Sequence, residues 1–315
     1  MKRKAIIFGI KGLSLSKQEK ILIKKHKPWG IILFSRNIKN MQQTKILVAN
    51  IKLLMKDKKY PILIDQEGGS VSRLNNIIDT SIFSQSWFGE IYKSNKNKFY
   101  NYYKIYIKTV SDILNDLGIN INTVPVLDIK RKNTNKIIFN RSFSNDSDSI
   151  TSMGKFCISQ YQQNKIGTVI KHIPGHGLSA FDSHIKVSII NNKKKYLIKN
   201  DFMPFKKCNS FFAMTAHLIY SSYDSIFTAT HSKNVIKKVI RKTIGFKGIL
   251  ISDDISMKAL KYNLTENATR ALDAGCNLVL HCNGNINEMH RLTKVVPLID
   301  TFTQKKTSQF YKFLG

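Results

Sequence analysis

The stretch Ile166-Gly167-Thr168-Val169-Ile170-Lys171-His172-Ile173-Pro174-Gly175-His176-Gly177 sets a short apolar run directly against titratable and punctuating residues. The run Gly167–Ile170 predicts a buried strand. Pro174, Gly175 and Gly177 break regular structure after it, so the polar groups emerge onto a bent loop at a strand end. Asp182-Ser183-His184 follows closely, bringing a lysine, three histidines and an aspartate into fourteen residues. Loops at the ends of strands are where binding and chemistry concentrate.

Working outward, seven further apolar runs predict strands at Ala5–Gly9, Gly30–Phe34, Ile62–Ile64, Ile119–Val126, Phe211–Thr215, Gly248–Ile251 and Asn277–Leu280. Between them, segments such as Gln18–His26, Asn40–Met55, Ser147–Gln163, Ser232–Ile244 and Glu266–Ala274 carry apolar residues at three- and four-residue steps. Alternating strands and helices imply parallel pairing, and eight strands imply closure into a single (β/α)8 TIM barrel over residues 1–315. A doubly wound open sheet is the runner-up, weakened because no G-x-G-x-x-G turn follows the first strand. Polar residues end most of these strands: Ser35-Arg36, Asp65, Asp128, Lys171-His172, His217, Asp253 and His281. A barrel gathers such residues at one rim.

The formal net charge is +31, carried by 43 lysines and only 8 arginines. Lysine is spread over nearly every expected helix, whereas nucleic-acid binders cluster basic residues and favour arginine. Solvated outer faces explain most of that charge, and no nucleic-acid or membrane partner is expected. Acids are scarce, 15 Asp and 5 Glu, yet Asp65, Glu67, Asp128, Asp182, Asp253 and Asp254 fall at or just past strand ends. Their placement in so basic a chain suggests assigned roles.

Four cysteines without C-x-x-C spacing fit free thiols rather than disulfides or zinc. The apolar run Ala5–Ile10 is too short for a signal-peptide core, and no stretch approaches a spanning helix, so a cytoplasmic protein is expected. Neither a cofactor nor a metal is expected, since Pro174 and Gly175 disrupt any helical H-x-x-x-H arrangement.

Gly248-Ile249-Leu250-Ile251-Ser252-Asp253-Asp254 ends a strand in two acids, which permits a division of labour. Asp253 would face the mouth, able as a carboxylate to attack an electrophilic carbon, while Asp254 caps or orients. Asp182, two residues before His184, can fix one imidazole nitrogen while the other meets substrate. Lys171 is either a ligand donor or a buried lysine satisfied by core carboxylates. Asp65, in Asp65-Gln66-Glu67-Gly68-Gly69 with Arg73 beyond, could grip vicinal hydroxyls.

These residues together resemble the β-N-acetylhexosaminidases of glycoside hydrolase family 3, in particular the bacterial single-domain enzymes of peptidoglycan recycling. The likeness runs through Ile32-Leu33-Phe34-Ser35-Arg36-Asn37, Asp65 to Arg73, Pro125-Val126-Leu127-Asp128, Asn140-Arg141-Ser142-Phe143, and the Lys171–Gly177 loop with Asp182-Ser183-His184. It continues in Ser252-Asp253-Asp254-Ile255-Ser256-Met257, Ala274-Gly275-Cys276-Asn277 and Cys282-Asn283. The departures are Ser70 and Ser72 in place of larger polar residues, and Ile173 in place of an aromatic.

The resemblance implies removal of terminal β-linked N-acetylglucosamine with retention. Asp253 would be the nucleophile and His184 the general acid/base oriented by Asp182. Asp65, Arg73, Arg141, Lys171 and His172 would hold the sugar. The implied substrate is N-acetylglucosaminyl-1,6-anhydro-N-acetylmuramic acid, with or without peptide, acted on by a monomer. A β-glucosidase or β-xylosidase of the same barrel family is the catalytic rival, and a polyanion binder built on lysine the non-catalytic one.

Overall fold

The computed structural model describes residues 2–131, 134, 136–179, 186–206 and 208–315. Eight parallel strands close into a barrel: β1 (Lys4–Gly9), β2 (Pro28–Leu33), β3 (Ile62–Ile64), β4 (Ile121–Asn122), β5 (Gly167–Ile173), β7 (Phe212–Thr215), β9 (Ile249–Asp254) and β10 (Leu278–His281). Closure is made by β1 against β10, with Ile6 opposite Val279 and Phe8 opposite His281. The single (β/α)8 barrel expected from the alternating pattern is the fold observed.

Two strand boundaries differ instructively from the sequence reading. The fourth strand shrinks from Ile119–Val126 to Ile121–Asn122, because Pro125 has no N–H to donate. The chain still tracks β5 beyond it: Lys171 N–H donates to the Pro125 carbonyl at 3.1 Å and Leu127 N–H to the Lys171 carbonyl at 2.7 Å. The fifth strand extends three residues past the expected Ile170, so Lys171 and His172 are themselves strand residues. A two-stranded parallel sheet, β6 (Ser188–Ile190) with β8 (Leu218–Tyr220), was not foreseen.

The outer helices carry ordinary start and stop signals. Helix α1 (Lys17–His26) begins in a capping box, Ser16 accepting from Glu19 N–H while the Glu19 carboxylate accepts from Ser16 N–H. Helix α2 (Met41–Met55) is capped by Asn40. Helices α3 (Gln85–Ser94) and α4 (Lys96–Leu117) are capped by Ser84 and Asn95, and α4 ends at Gly118 in the left-handed region. A short α5 (Lys136–Phe139) leads to α6 (Ser147–Gln163), capped by Asp146. The expected helix at Ser232–Ile244 is a π-helix over Val235–Ile244, burying Val235, Ile236, Val239, Ile240 and Ile244. Among the described residues no helix is long and apolar enough to cross a membrane. All four cysteines are free.

Candidate active site

The C-terminal ends of β3, β5 and β9 bring most of the expected site residues into one network. Lys171, only 2% exposed, spends its ammonium on protein groups: Asp65 Oδ1 at 2.6 Å, Glu67 Oε1 at 2.6 Å and Thr123 Oγ1 at 3.1 Å. An ammonium has three donors, so the buried-lysine reading describes its ground state. The other oxygen of Asp65 takes Arg73 Nη2 at 2.8 Å. Burial would raise the Asp65 pKa, but Lys171, Arg73 and Arg141 hold it well below the usual carboxylate range.

Glu67, whose specific role local sequence does not reveal, is the partner of Arg141. Arg141 Nε and Nη2 fork onto its two oxygens, each at 2.8 Å. This planar two-point contact is one that lysine could not make. Burial favours the neutral guanidine, yet Glu67 more than compensates and the Arg141 pKa rises. Arg141 Nη2 also lies 3.4 Å from His172 Nε2.

Asp128, fully buried, fixes His172. Its Oδ2 accepts from His172 Nδ1 at 2.7 Å, and its Oδ1 accepts from His176 N–H at 2.6 Å. The hydrogen-bond pattern places a proton on His172 Nδ1, and Nε2 faces Arg141 Nη2. Burial alone would raise the Asp128 pKa; His172 outweighs it and the carboxylate stays ionised. Burial and nearby His172 push the His176 pKa down to about 4.

At the end of β9 the two aspartates have different partners. Asp254 accepts from Ser256 N–H at 3.1 Å and Ser256 Oγ at 2.9 Å, closing a turn. Asp253 accepts only the Asp254 N–H, at 2.8 Å, among the described residues. Burial opposes its charge, but His217, His172, that backbone donor and Lys171 together lower its pKa below the ordinary value. His217 packs beside it, its Nε2 3.0 Å from the Asp254 carbonyl oxygen, to which it donates, and its Nδ1 2.7 Å from Thr230 Oγ1. Burial lowers the His217 pKa.

The loop after β5 turns tightly under its neighbours. Gly175 has φ +137°, and a Cβ there would lie 2.8 Å from the Asp201 carbonyl oxygen; one at Gly177 would lie 2.1 Å from the Ile129 oxygen. Only glycine fits either place. Asp201, which nothing in its local sequence marks, receives Arg131 Nη2 at 2.8 Å while burial pushes its pKa up to about 6. Asp182, Ser183 and His184 lie outside the described residues. Thus Asp65, Arg73, Arg141, Lys171, His172 and Asp253 surround one mouth. Glu67, Asp128 and His217 join them. Strand-end position marked these three in the sequence, but their partners could not be read there.

Comparison with known proteins agrees with this architecture. The family described as glycosyl hydrolase family 3 N terminal domain matches residues 6–307. A β-hexosaminidase of Haemophilus influenzae is 32% identical over 285 residues, covering 89% of this chain and 79% of that protein. Among solved structures, NagZ from Neisseria gonorrhoeae in complex with N-trifluoroacetyl-D-glucosamine gives a TM-score of 0.87 at 26% identity, covering 100% of this chain and 90% of that one. A glycoside hydrolase family 3 β-N-acetylglucosaminidase from Paenibacillus sp. gives 0.85 at 25% identity; 98% of this chain is covered, and it spans 60% of that longer protein. The chain belongs to glycosyl hydrolase family 3, among that family's β-N-acetylhexosaminidases.

Proposed function

We propose that this protein is a single-domain, monomeric, cytoplasmic exo-β-N-acetylglucosaminidase that releases terminal N-acetylglucosamine from peptidoglycan-derived muropeptides, with retention of configuration. The observation that carries the reading is Asp253: a carboxylate kept ionised at a strand end, beside a cluster of donors and acceptors suited to sugar hydroxyls. Retaining hydrolysis needs such a carboxylate to attack the anomeric carbon and form a glycosyl-enzyme ester. It also needs a group that protonates the leaving oxygen and then draws a proton from water.

We assign that second role to His184, oriented by Asp182, on the strength of family membership and the Asp-x-His spacing. An imidazole can serve in both protonation states near neutral pH, without placing a second negative charge beside the nucleophile. Asp65 and Arg73 would grip vicinal hydroxyls, and His172 Nε2 and Arg141 a further one. Lys171 would act by holding Asp65 in place and sharing a proton with bound hydroxyls. The N-trifluoroacetyl-D-glucosamine in the related Neisseria structure supports the amino-sugar specificity.

The test is hydrolysis of a nitrophenyl N-acetyl-β-glucosaminide, with the product anomer followed by NMR. The wild type should release the β-anomer first and prefer this substrate to the corresponding glucoside and xyloside. Near-normal turnover by Asp253→Ala would remove the mechanism, and a preference for glucoside would remove the specificity.

A further inference from the structure

Asp253 poses a problem of placement. A carboxylate that is to attack carbon cannot spend its lone pairs on many donors. Among the described residues this one accepts a single hydrogen bond, from the N–H of Asp254. Attack requires the reacting atoms to stand about 3–3.5 Å apart and correctly aimed. The carboxylate therefore has to be held through the backbone that carries it.

That backbone is irregular. Strand β9 is in register with β10 at Ile251 opposite Leu278 and again at Asp254 opposite Leu280, so three steps along β9 match two along β10. The extra residue is taken up at Ser252 and Asp253. A bulge of this kind disrupts the ladder locally and re-aims a side chain. On the β10 side the gap is bridged by Ser252, whose Oγ accepts from Leu280 N–H at 3.0 Å. Backbone bonding continues beyond it, with Ile255 N–H donating to the Leu280 carbonyl at 2.9 Å. On the other side, pairing with β7 ends at Met214 opposite Ile251.

His217 takes over where β7 stops. It lies two residues past the end of that strand, and its Nε2 donates to the Asp254 carbonyl at 3.0 Å. Met257 N–H donates to the same oxygen at 3.1 Å, so Asp254 is held by two donors. Asp254 is also the residue whose N–H bonds the Asp253 carboxylate, and anchoring its carbonyl anchors that donor. The imidazole is itself braced. Its Nδ1 lies 2.7 Å from Thr230 Oγ1, which lies 2.8 Å from Thr215 Oγ1, and all three side chains are buried. A side chain packed and bonded at both ring nitrogens has little freedom to move.

We propose that His217 is a positioning residue for the reaction: braced by Thr230, it clamps Asp254 at the end of the bulge and so sets the attack geometry of the Asp253 carboxylate. The proposal rests on the reading of Asp253 as the nucleophile.

The test is steady-state hydrolysis of a nitrophenyl N-acetyl-β-glucosaminide by His217→Phe, His217→Gln and Thr230→Val. In His217→Phe, which keeps a ring but no donor, kcat should fall about 10²-fold, the cost of misplacing a reacting group by about an ångström, with KM nearly unchanged. His217→Gln, whose amide can still donate to Asp254, should recover much of that loss. Thr230→Val, which leaves His217 in place and guards against misfolding of the other two, should cost about fivefold in kcat, the worth of one hydrogen bond. A second readout is the ionisation of Asp253, followed by carbon-13 NMR of aspartate-labelled protein, with Asp253→Asn assigning the signal. The Asp254 N–H helps to lower the Asp253 pKa, so loosening that donor should raise the midpoint in His217→Phe. A role confined to folding would lower thermal stability and move neither the midpoint nor kcat at constant KM. Unchanged kcat in folded His217→Phe, or a loss carried by KM with the midpoint unmoved, overturns the proposal. If the wild type hydrolyses no N-acetylglucosaminide, the reading of Asp253 as nucleophile fails, and the midpoint decides the clamp: a rise in His217→Phe supports it and an unmoved midpoint overturns it.

Discussion

At the N-terminal end of the barrel, Arg3 pairs with Asp57, donates to Tyr311 Oη at 2.8 Å, and lies 4.8 Å from the Tyr60 ring centre. Tyr311 in turn donates to Asp57 at 2.7 Å. At the C-terminal end, Arg141, Glu67, Lys171, Asp65 and Arg73 form a second network of similar chemistry. The first ties the chain before β1 to the last helix, Thr301–Leu314, through Tyr311. The second has edges open to the mouth, with the Asp65 and Arg73 side chains 17% and 26% exposed. Both clusters spend most of their polar atoms on protein partners, Asp57 also accepting from Lys59 N–H at 2.9 Å, but in the upper one Arg73 Nε has no hydrogen-bond partner among the described residues. Buried ion pairs are weak evidence for stability, because desolvation offsets attraction. What separates the two is the residue set around them: only the upper network has an ionised, sparsely bonded Asp253 within electrostatic reach of its lysine.

The sharpest way to break that contrast is at Asp253. Asp253→Ala should lower kcat by about 10⁴-fold or more, as loss of a nucleophile does, while thermal unfolding barely changes. Next is Arg141→Ala, which takes the two-point partner from the buried Glu67 and leaves it, among the described residues, with Lys171 as its one cationic contact. It should cost about 3–5 kcal/mol of stability by denaturant titration and lower kcat/KM as well. Arg3→Met should remove about 2–4 kcal/mol in the same titration yet leave kcat/KM intact, because the lower network touches no substrate. Loss of activity in properly folded Arg3→Met would erase the distinction between the two ends.

A smaller effect concerns pH. The His176 and His231 pKa values are depressed to about 4, chiefly by burial. Between 6.5 and 4 the unfolded chain therefore binds more protons, and stability falls as pH falls. Asp201, raised to about 6 by burial, runs the other way, binding its proton in the folded state first. The balance should be a loss of about 2 kcal/mol from pH 7 to pH 5 by thermal denaturation, smaller in His231→Asn. Asp65, Asp128 and Asp253, whose pKa values are lowered, add stability that is lost only further down, below the ordinary carboxylate range. Smallest of all is the surface pair Lys45–Asp116, with side chains 58% and 53% exposed. Lys45→Ala should change stability by less than about 0.5 kcal/mol, a control for both networks.

Much of the barrel was legible because its code is local. Short apolar runs of four to eight residues alternate with amphipathic segments, and that pattern survives without knowing any partner. Boundaries failed where backbone hydrogen bonding, rather than hydrophobicity, decided them. Pro125 truncated β4, and the apolar Ile173 let β5 carry Lys171 and His172 inside the sheet. The three-residue strands β6 and β8 are too short for any periodicity to register. In the site, the residues at strand ends were visible, but their pairings were not. Lys171 meets Asp65 across 106 positions, Arg141 meets Glu67 across 74, and His172 meets Asp128 across 44. Asp201 carried no signal, since it matters only because Gly175 and Arg131 pack against it.

Residue order alone thus determined a closed parallel barrel with polar groups on one rim, because strand and helix periods and the chirality of parallel connections are written in consecutive residues. Only the tertiary structure decided which carboxylates are neutralised and which keep a free face. That depends on closing the barrel, which brings cations from distant strand ends within hydrogen-bonding distance of Asp65 and Glu67. It leaves the Asp253 carboxylate bonded to a single backbone N–H among the described residues.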